Sequence, residues 1–153
     1  LFQIILQRLV SLDQLRGVGS STDPLLQYLG MKTELKAVDS KPMNAALTLR
    51  NAELTATQLQ QPLYKASLLL LICEQLAETQ LPRAKTIHAQ IDIYSIEAIE
   101  APSARRVVAK WWEVKSMFDN RERVMSLREA ILRYRSVGCP NRARLLSRRL
   151  HSV

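Results

Sequence analysis

Three arginines at seven-residue spacing form the clearest chemical pattern in the chain: Arg121, Arg128 and Arg135. An α-helix turns about 100° per residue, so the three fall within about 40° of one another on one helix face. An arginine packs its stem on apolar neighbours and offers a planar fork to carboxylates or phosphates. Apolar residues border the three arginines, with Val124, Leu127, Ile131 and Tyr134 on one side and Met125 and Leu132 on the other. The pattern predicts a contact surface for an acidic partner.

A second basic group follows near the end of the chain, where four arginines flank Ala143, Leu146 and Leu150. The four are Arg142, Arg144, Arg148 and Arg149. Residues 1–100 carry nine Lys or Arg against ten Asp or Glu, whereas residues 101–153 carry thirteen against four. The whole positive excess of this +8 chain therefore belongs to its last third.

Trp111 and Trp112 are adjacent, so their indoles leave a helix in different directions. We expect one indole in the core and the other at its boundary, where a Trp anchors a partner or joins a second packing layer. Both are therefore included with the seven arginines in the predicted partner-binding set.

The preferred partner is a protein helix or acidic segment, and nucleic acid is the alternative because the same arginines can bind phosphates. Aromatic residues that would stack on bases are few, and no RNP-like motif accompanies the arginines. A simple solvated face remains open. A membrane is not expected, because the run from Leu68 to Cys73 is too short to span one and the last helix lacks a bulky aromatic on its apolar side.

No catalytic constellation is found, and we expect neither an enzyme nor a bound cofactor, metal or small-molecule substrate. His88 and His151 are far apart, and His88 lies next to Ile87, which is typical of a packed or half-exposed helical residue. Glu74 and Glu78 are one turn apart, and a solvated face is expected for them. Cys73 is expected in the core and Cys139 in a turn, a pair that suits an intracellular compartment, cytoplasm or nucleus.

Regularly spaced prolines define the elements that must carry these residues. Pro42, Pro62, Pro82 and Pro102 recur every 20 residues, and Pro140 follows. Proline is well tolerated in the first turn of a helix, and the composition is rich in helix formers. The predicted helices are 43–60 with Ser40 as a cap, 63–79, 83–97, 103–118, from an Asp119 or Asn120 cap to about Ser136, and from Pro140 to about His151. A strand over 91–96 is the competing interpretation of the third.

Farther upstream, residues 1–16 are predicted to form a helix, and Asp23-Pro24 opens a short turn that ends at Gly30. Gly138 is expected in a left-handed conformation after the helix that ends near Ser136.

These elements predict an all-α fold: an antiparallel helical array of about six to eight helices, either an irregular bundle or a short α-solenoid. A hairpin every 40 residues from about Pro42 to Phe118 resembles HEAT-type and other helical repeats. The resemblance implies a stacked architecture and does not assign a function to any residue. One domain is expected in all: residues 1–41, an N-terminal helix and an irregular loop, are expected to pack on a helical-array body formed by 42–153, whose last helices are basic. The chain lacks an initial Met and is interpreted as part of a longer protein. We expect a non-catalytic interaction or scaffold module of a larger intracellular complex.

Overall fold

The computed structural model describes residues 23–38 and 45–152, and within these ranges it contains eight helices and no strand. In chain order they are α1 (Pro24–Ala37), α2 (Ala45–Gln58), α3 (Pro62–Ala77), α4 (Leu81–Ala89), α5 (Ile93–Glu97), α6 (Pro102–Lys115), α7 (Asn120–Ser136) and α8 (Pro140–His151). The predicted all-α helical array is confirmed. None of these helices combines the length and the apolar character needed to cross a membrane.

Prolines begin the helices, as their spacing predicts. Pro62, Pro102 and Pro140 are the first residues of α3, α6 and α8, and Pro82 is the second residue of α4. The missing N–H of proline has no intrahelical partner at these positions, so it costs no hydrogen bond. The predicted start at Pro42, the Ser40 cap and the helix over 1–16 lie outside the described residues.

The single helix predicted over 83–97 is wrong, because α4 ends at Ala89 and α5 begins at Ile93. Asp92 caps the new helix: its carboxylate accepts a hydrogen bond from the Ser95 amide at 3.2 Å and another from the Ser95 hydroxyl at 2.5 Å. A side chain that satisfies helix-start donors in this way favours a break over a continuous helix. The competing strand over 91–96 is also wrong.

The short turn predicted to end at Gly30 is wrong as well, since α1 continues through Gly30 to Ala37. Asp23 caps this helix, accepting a hydrogen bond from the Leu25 amide at 3.0 Å. A glycine inside a helix costs only about 1 kcal/mol relative to alanine. One buried residue, Leu35, anchors the far end of α1.

The chain divides into two compact units between Leu68 and Leu69, inside α3. In the first unit α1 packs on α2, Ala52 and Ala56 are fully buried, and the rings of Tyr28 and Tyr64 stack with centroids 5.2 Å apart. The predicted division at residues 41 and 42 stays a prediction.

In the second unit α6, α7 and α8 pack in succession around a shared core. Its buried members are Ala109 from α6, Leu127, Ala130, Ile131 and Tyr134 from α7, and Ala143 and Leu146 from α8. These residues recur at helical spacing, so they fix which face of each helix points inward.

The turn from α7 to α8 is set by Gly138, whose φ of +75° confirms the predicted left-handed conformation. The Gly138 amide donates to the Arg135 carbonyl at 3.2 Å, and the Cys139 amide donates to the Tyr134 carbonyl at 2.8 Å. This pair of bonds is a Schellman motif, which satisfies the last carbonyls of α7 before Pro140 begins α8. At the other end of α7, the predicted Asp119 cap is confirmed by its bond from the Arg121 amide at 2.9 Å.

Candidate functional site

The outer face of α7 exposes five residues that we call the outer stripe. They follow one another at intervals of four and three residues: Arg121, Met125, Arg128, Leu132 and Arg135. Met125 is 51% exposed and Leu132 is 59% exposed, which is high for large apolar side chains separated by two helical turns. The spacing gives an exposed apolar pair interleaved with three cations.

The three guanidinium groups of the outer stripe are unengaged within the described part of the chain. Arg121, Arg128 and Arg135 are exposed, and none forms an ion pair or a side-chain hydrogen bond with another described residue. The structure therefore places the three predicted residues on one accessible face, with their forks open to a ligand.

Arg142, a fourth residue of the predicted set, lies in a different environment. Its Nε donates to Oε1 of Glu113 at 2.5 Å, and Lys110 Nζ donates to Oε2 of the same carboxylate at 2.6 Å. Only 2% of the Glu113 side chain is exposed. Arg142 therefore neutralises a buried charge that would be costly alone, and its contact with a partner stays a prediction.

This buried network extends across four helices of the second unit. Lys110 of α6 also pairs with Glu74 of α3. Glu74 is half-buried, so the solvated face expected for it is wrong, whereas Glu78 is exposed as expected. Burial raises the pKa of the Glu113 carboxyl, but the hydrogen bonds and charges of Arg142 and Lys110 outweigh this effect and lower it overall. Burial also raises the pKa of Tyr134, the α7 member that faces the network. The arrangement is charge-balanced and structural.

Trp111 and Trp112 contact each other, with ring centroids 5.0 Å apart in an edge-to-face arrangement. The Lys115 ammonium lies 5.3 Å from the Trp111 centroid and 5.0 Å from that of Trp112. Both residues are half-buried, and Trp112 packs against the α6–α8 core. The structure therefore does not divide the two indoles into one core and one boundary residue, because both are half-buried. Partner binding by either Trp stays a prediction.

His88 is buried against Trp111, with ring centroids 4.5 Å apart, and meets the edge of Phe118 at 5.0 Å. Its Nε2 lies 3.1 Å from the Trp111 carbonyl oxygen, which can only accept, so Nε2 carries the proton of this hydrogen bond. Burial lowers the pKa of His88, and the Lys115 charge adds to this effect against the opposing hydrogen bond. The imidazole is therefore packed and buried, which is one of the two environments expected for it.

The remaining three arginines of the set lie on the outer side of α8. Arg144, Arg148 and Arg149 are exposed, while Ala143 and Leu146 point into the core. Arg144 Nη2 donates to the Asn141 side chain at 2.9 Å. A second helix therefore also carries exposed arginines.

Two features escaped the sequence. Glu113 is a lone carboxylate in the apolar run from Trp111 to Val114, which is the one local signal for a buried partner of an arginine. The second is a pocket lined by residues of α5, α6 and α7, whose separation in sequence gives no signal. Within the described ranges, no group of three or more His, Cys, Asp or Glu side chains could hold a metal ion.

In comparisons with known proteins, no family model, curated protein or solved structure matches the chain.

Proposed function

We propose that this chain is a non-catalytic helical interaction module that binds an amphipathic helix with acidic flanks along the outer stripe. The proposal includes membership of a larger intracellular complex, a setting that suits Cys73 and Cys139, which form no disulfide with each other. The stripe supplies affinity through its apolar pair and orientation through its cations.

One observation supports this function above all: Met125 and Leu132 are exposed between arginines that have no internal partner in the described residues. Apolar residues seven apart, flanked by charges, match the seam by which one helix recognises another. A partner helix with Leu or Ile at heptad spacing would cover the pair. Its flanking Glu side chains would meet the guanidinium forks, whose planar geometry suits carboxylates.

Nucleic acid binding is a second candidate, favoured by the exposed arginines that α8 carries in addition to those of α7. Phosphate contacts would use Arg144, Arg148 and Arg149 as readily as the outer stripe. They would give no role to Met125 and Leu132, which would remain in water. For this reason the protein helix is preferred.

A synthetic peptide tests the proposal by fluorescence anisotropy at near-physiological salt. The probe is a labelled helix about three heptads long, with Leu at its seam and Glu beside it. We expect Leu132→Ser and Arg128→Glu each to weaken its binding about tenfold. Leu54→Ser and Arg106→Glu are the matched controls, because both residues are exposed and lie outside the stripe. They should leave the affinity unchanged.

Labelled duplex DNA and single-stranded RNA are measured in parallel over a range of salt concentrations. If nucleic acid binds tightly and its affinity falls by about one log unit per contacted phosphate for each tenfold rise in salt, while the peptide is indifferent to Leu132→Ser, the helix-docking proposal is wrong.

A further inference from the structure

A pocket of about 290 Å³ lies where α5, α6 and α7 meet. Its lining residues are Ile96, Glu97, Arg105, Val108, Arg133 and Ser136. Ile96 and Val108 are almost fully buried and form its apolar wall. Pockets for small molecules span about 300–1,000 Å³, so this one is at the small end and suits an inserted side chain.

An acidic occupant is favoured by Arg105, because Glu97 and Glu129 both pair with Arg133 and neither pairs with Arg105. Arg133 Nη1 donates to Glu97 Oε1 at 2.7 Å, and the same guanidinium lies 5.9 Å from the Trp112 ring centroid. These two contacts fix its orientation. Arg105 is exposed and forms no ion pair with any described residue. One cation in the pocket is therefore unmatched.

Arg133 also offers a donor that lacks a hydrogen bond. Its buried Nε forms an ion pair with Glu129 Oε2 at 3.5 Å but makes no hydrogen bond within the described residues. Buried polar groups nearly always have hydrogen-bond partners, so an unsatisfied guanidinium N–H at a pocket is a place for an acceptor. A carboxylate is the acceptor that matches its charge.

The pocket borders the outer stripe. Around the axis of α7, Ser136 lies about 40° from Leu132 and Arg133 about 100° from it, on the side away from Val124 and Ile131. A helix lying over Met125 and Leu132 would therefore run beside the pocket mouth, and a side chain on its near flank would point toward it.

We propose that this pocket is a subsite for one Glu side chain of the docked helix, an inference that rests on the proposed function. The Glu methylenes would pack on Ile96 and Val108, and its carboxylate would bind Arg105 and the Nε–H of Arg133, where it would compete with Glu129. Glu97 already holds the other side of the Arg133 fork and competes for it. The pocket thus sets the register of the partner, because only one Glu position can enter.

The test combines variants of the protein with single Glu→Gln changes along the peptide, again by anisotropy. Arg105→Gln should weaken binding about fivefold, and Arg106→Gln, its exposed neighbour outside the pocket, should have no effect. At one peptide position the Glu→Gln change should weaken binding to wild type but cause no further loss with Arg105→Gln. Glu97→Gln should strengthen binding about threefold, because it removes the competing carboxylate.

A small probe tests the pocket independently of the stripe. N-acetylglutamate titrated into the full chain should shift the Nε–Hε resonance of Arg133 in wild type and not in Arg105→Gln. Circular dichroism verifies that each variant remains folded.

These measurements separate the two proposals. If Leu132→Ser weakens the peptide while Arg105→Gln behaves like Arg106→Gln and no Glu position couples to Arg105, the subsite is wrong and the outer stripe stands. Weaker binding by Glu97→Gln would also overturn the subsite. If the peptide does not bind the wild-type protein, the proposed function is wrong, and so is the role of the pocket in setting the register of the partner. The N-acetylglutamate titration then still shows whether the pocket binds a carboxylate.

Discussion

The inner and outer faces of α7 both carry large apolar residues, which are buried on the inner face and exposed on the outer face. Leu127 and Ile131 on the inner face are buried against α6 and α8, whereas Met125 and Leu132 on the outer face are more than half exposed. Burial of a large apolar side chain stabilises a fold by about 1.5–3 kcal/mol. On α7, this stabilisation comes from the apolar side chains of the inner face. Met125 and Leu132 contribute little to it because they remain exposed to solvent among the described residues.

Arginines differ in the same way. Arg142 neutralises the buried Glu113 carboxylate, while the guanidinium of Arg128 has no partner among the described residues. Residue type is the same in both cases. The deciding factor is whether the packing brings a buried carboxylate within reach.

The largest expected contrast lies between Leu127→Ala and Leu132→Ala. Leu127→Ala opens a cavity in the core and should lower the free energy of unfolding by about 3 kcal/mol. Leu132→Ala should change it by less than about 0.5 kcal/mol. Urea denaturation followed by circular dichroism measures both. Equal losses would mean that Leu132 is covered within the chain, and the outer stripe would not be a free surface.

A smaller contrast is expected for the arginines. Arg142→Ala leaves Glu113 with Lys110 alone, so unfolding should become easier by about 2 kcal/mol, below the roughly 3–5 kcal/mol of a buried charge left without any partner. The exposed Arg149→Ala on the same helix should cost less than about 0.5 kcal/mol. Urea denaturation measures both variants. Equal losses in the free energy of unfolding would contradict the distinction between the buried ion pair of Arg142 and the exposed Arg149.

The smallest effect concerns pH. The folded-state pKa of His88 lies below its ordinary value of 6.5, so the unfolded chain takes up a proton first and stability falls as pH drops below about 6.5. Glu113, whose pKa is also lowered, adds a second loss as pH drops below about 4.5. Each group contributes at most about 1.4 kcal/mol per pH unit.

Denaturation across this pH range, with His88→Phe and His151→Phe compared, checks the assignment. His88→Phe keeps an aromatic ring beside Trp111 and should abolish the first loss only. If the loss just below pH 6.5 persists in that variant, the buried imidazole is not its source.

Much of this architecture was predictable, because proline and glycine act locally. Pro62, Pro102 and Pro140 begin helices, and Gly138 ends α7, through effects that extend over a few residues. The helical spacing of Arg121, Arg128 and Arg135 likewise placed them on one face. The break between α4 and α5 is not predicted, because the apolar spacing runs through it and outweighs the local cap signal of Asp92, three residues before Ser95.

Long-range pairs were not predictable from one sequence. Glu113 and Arg142 belong to different helices, and so do Arg105 and Arg133. Their proximity depends on how α6, α7 and α8 pack, which periodicity does not specify. The sequence therefore grouped Arg142 with the exposed arginines, and it gave no indication of the pocket.

A charge exchange tests the central claim, that the outer stripe binds an acidic helix, most directly. The stripe arginines are all changed to Glu (Arg121→Glu, Arg128→Glu and Arg135→Glu), and in a second peptide the flanking Glu residues are changed to Lys. The claim predicts that each mismatched pairing binds at least about tenfold more weakly than wild type with the acidic peptide, and that the doubly exchanged pairing recovers most of the loss. Equal binding by the exchanged and mismatched pairings would contradict it.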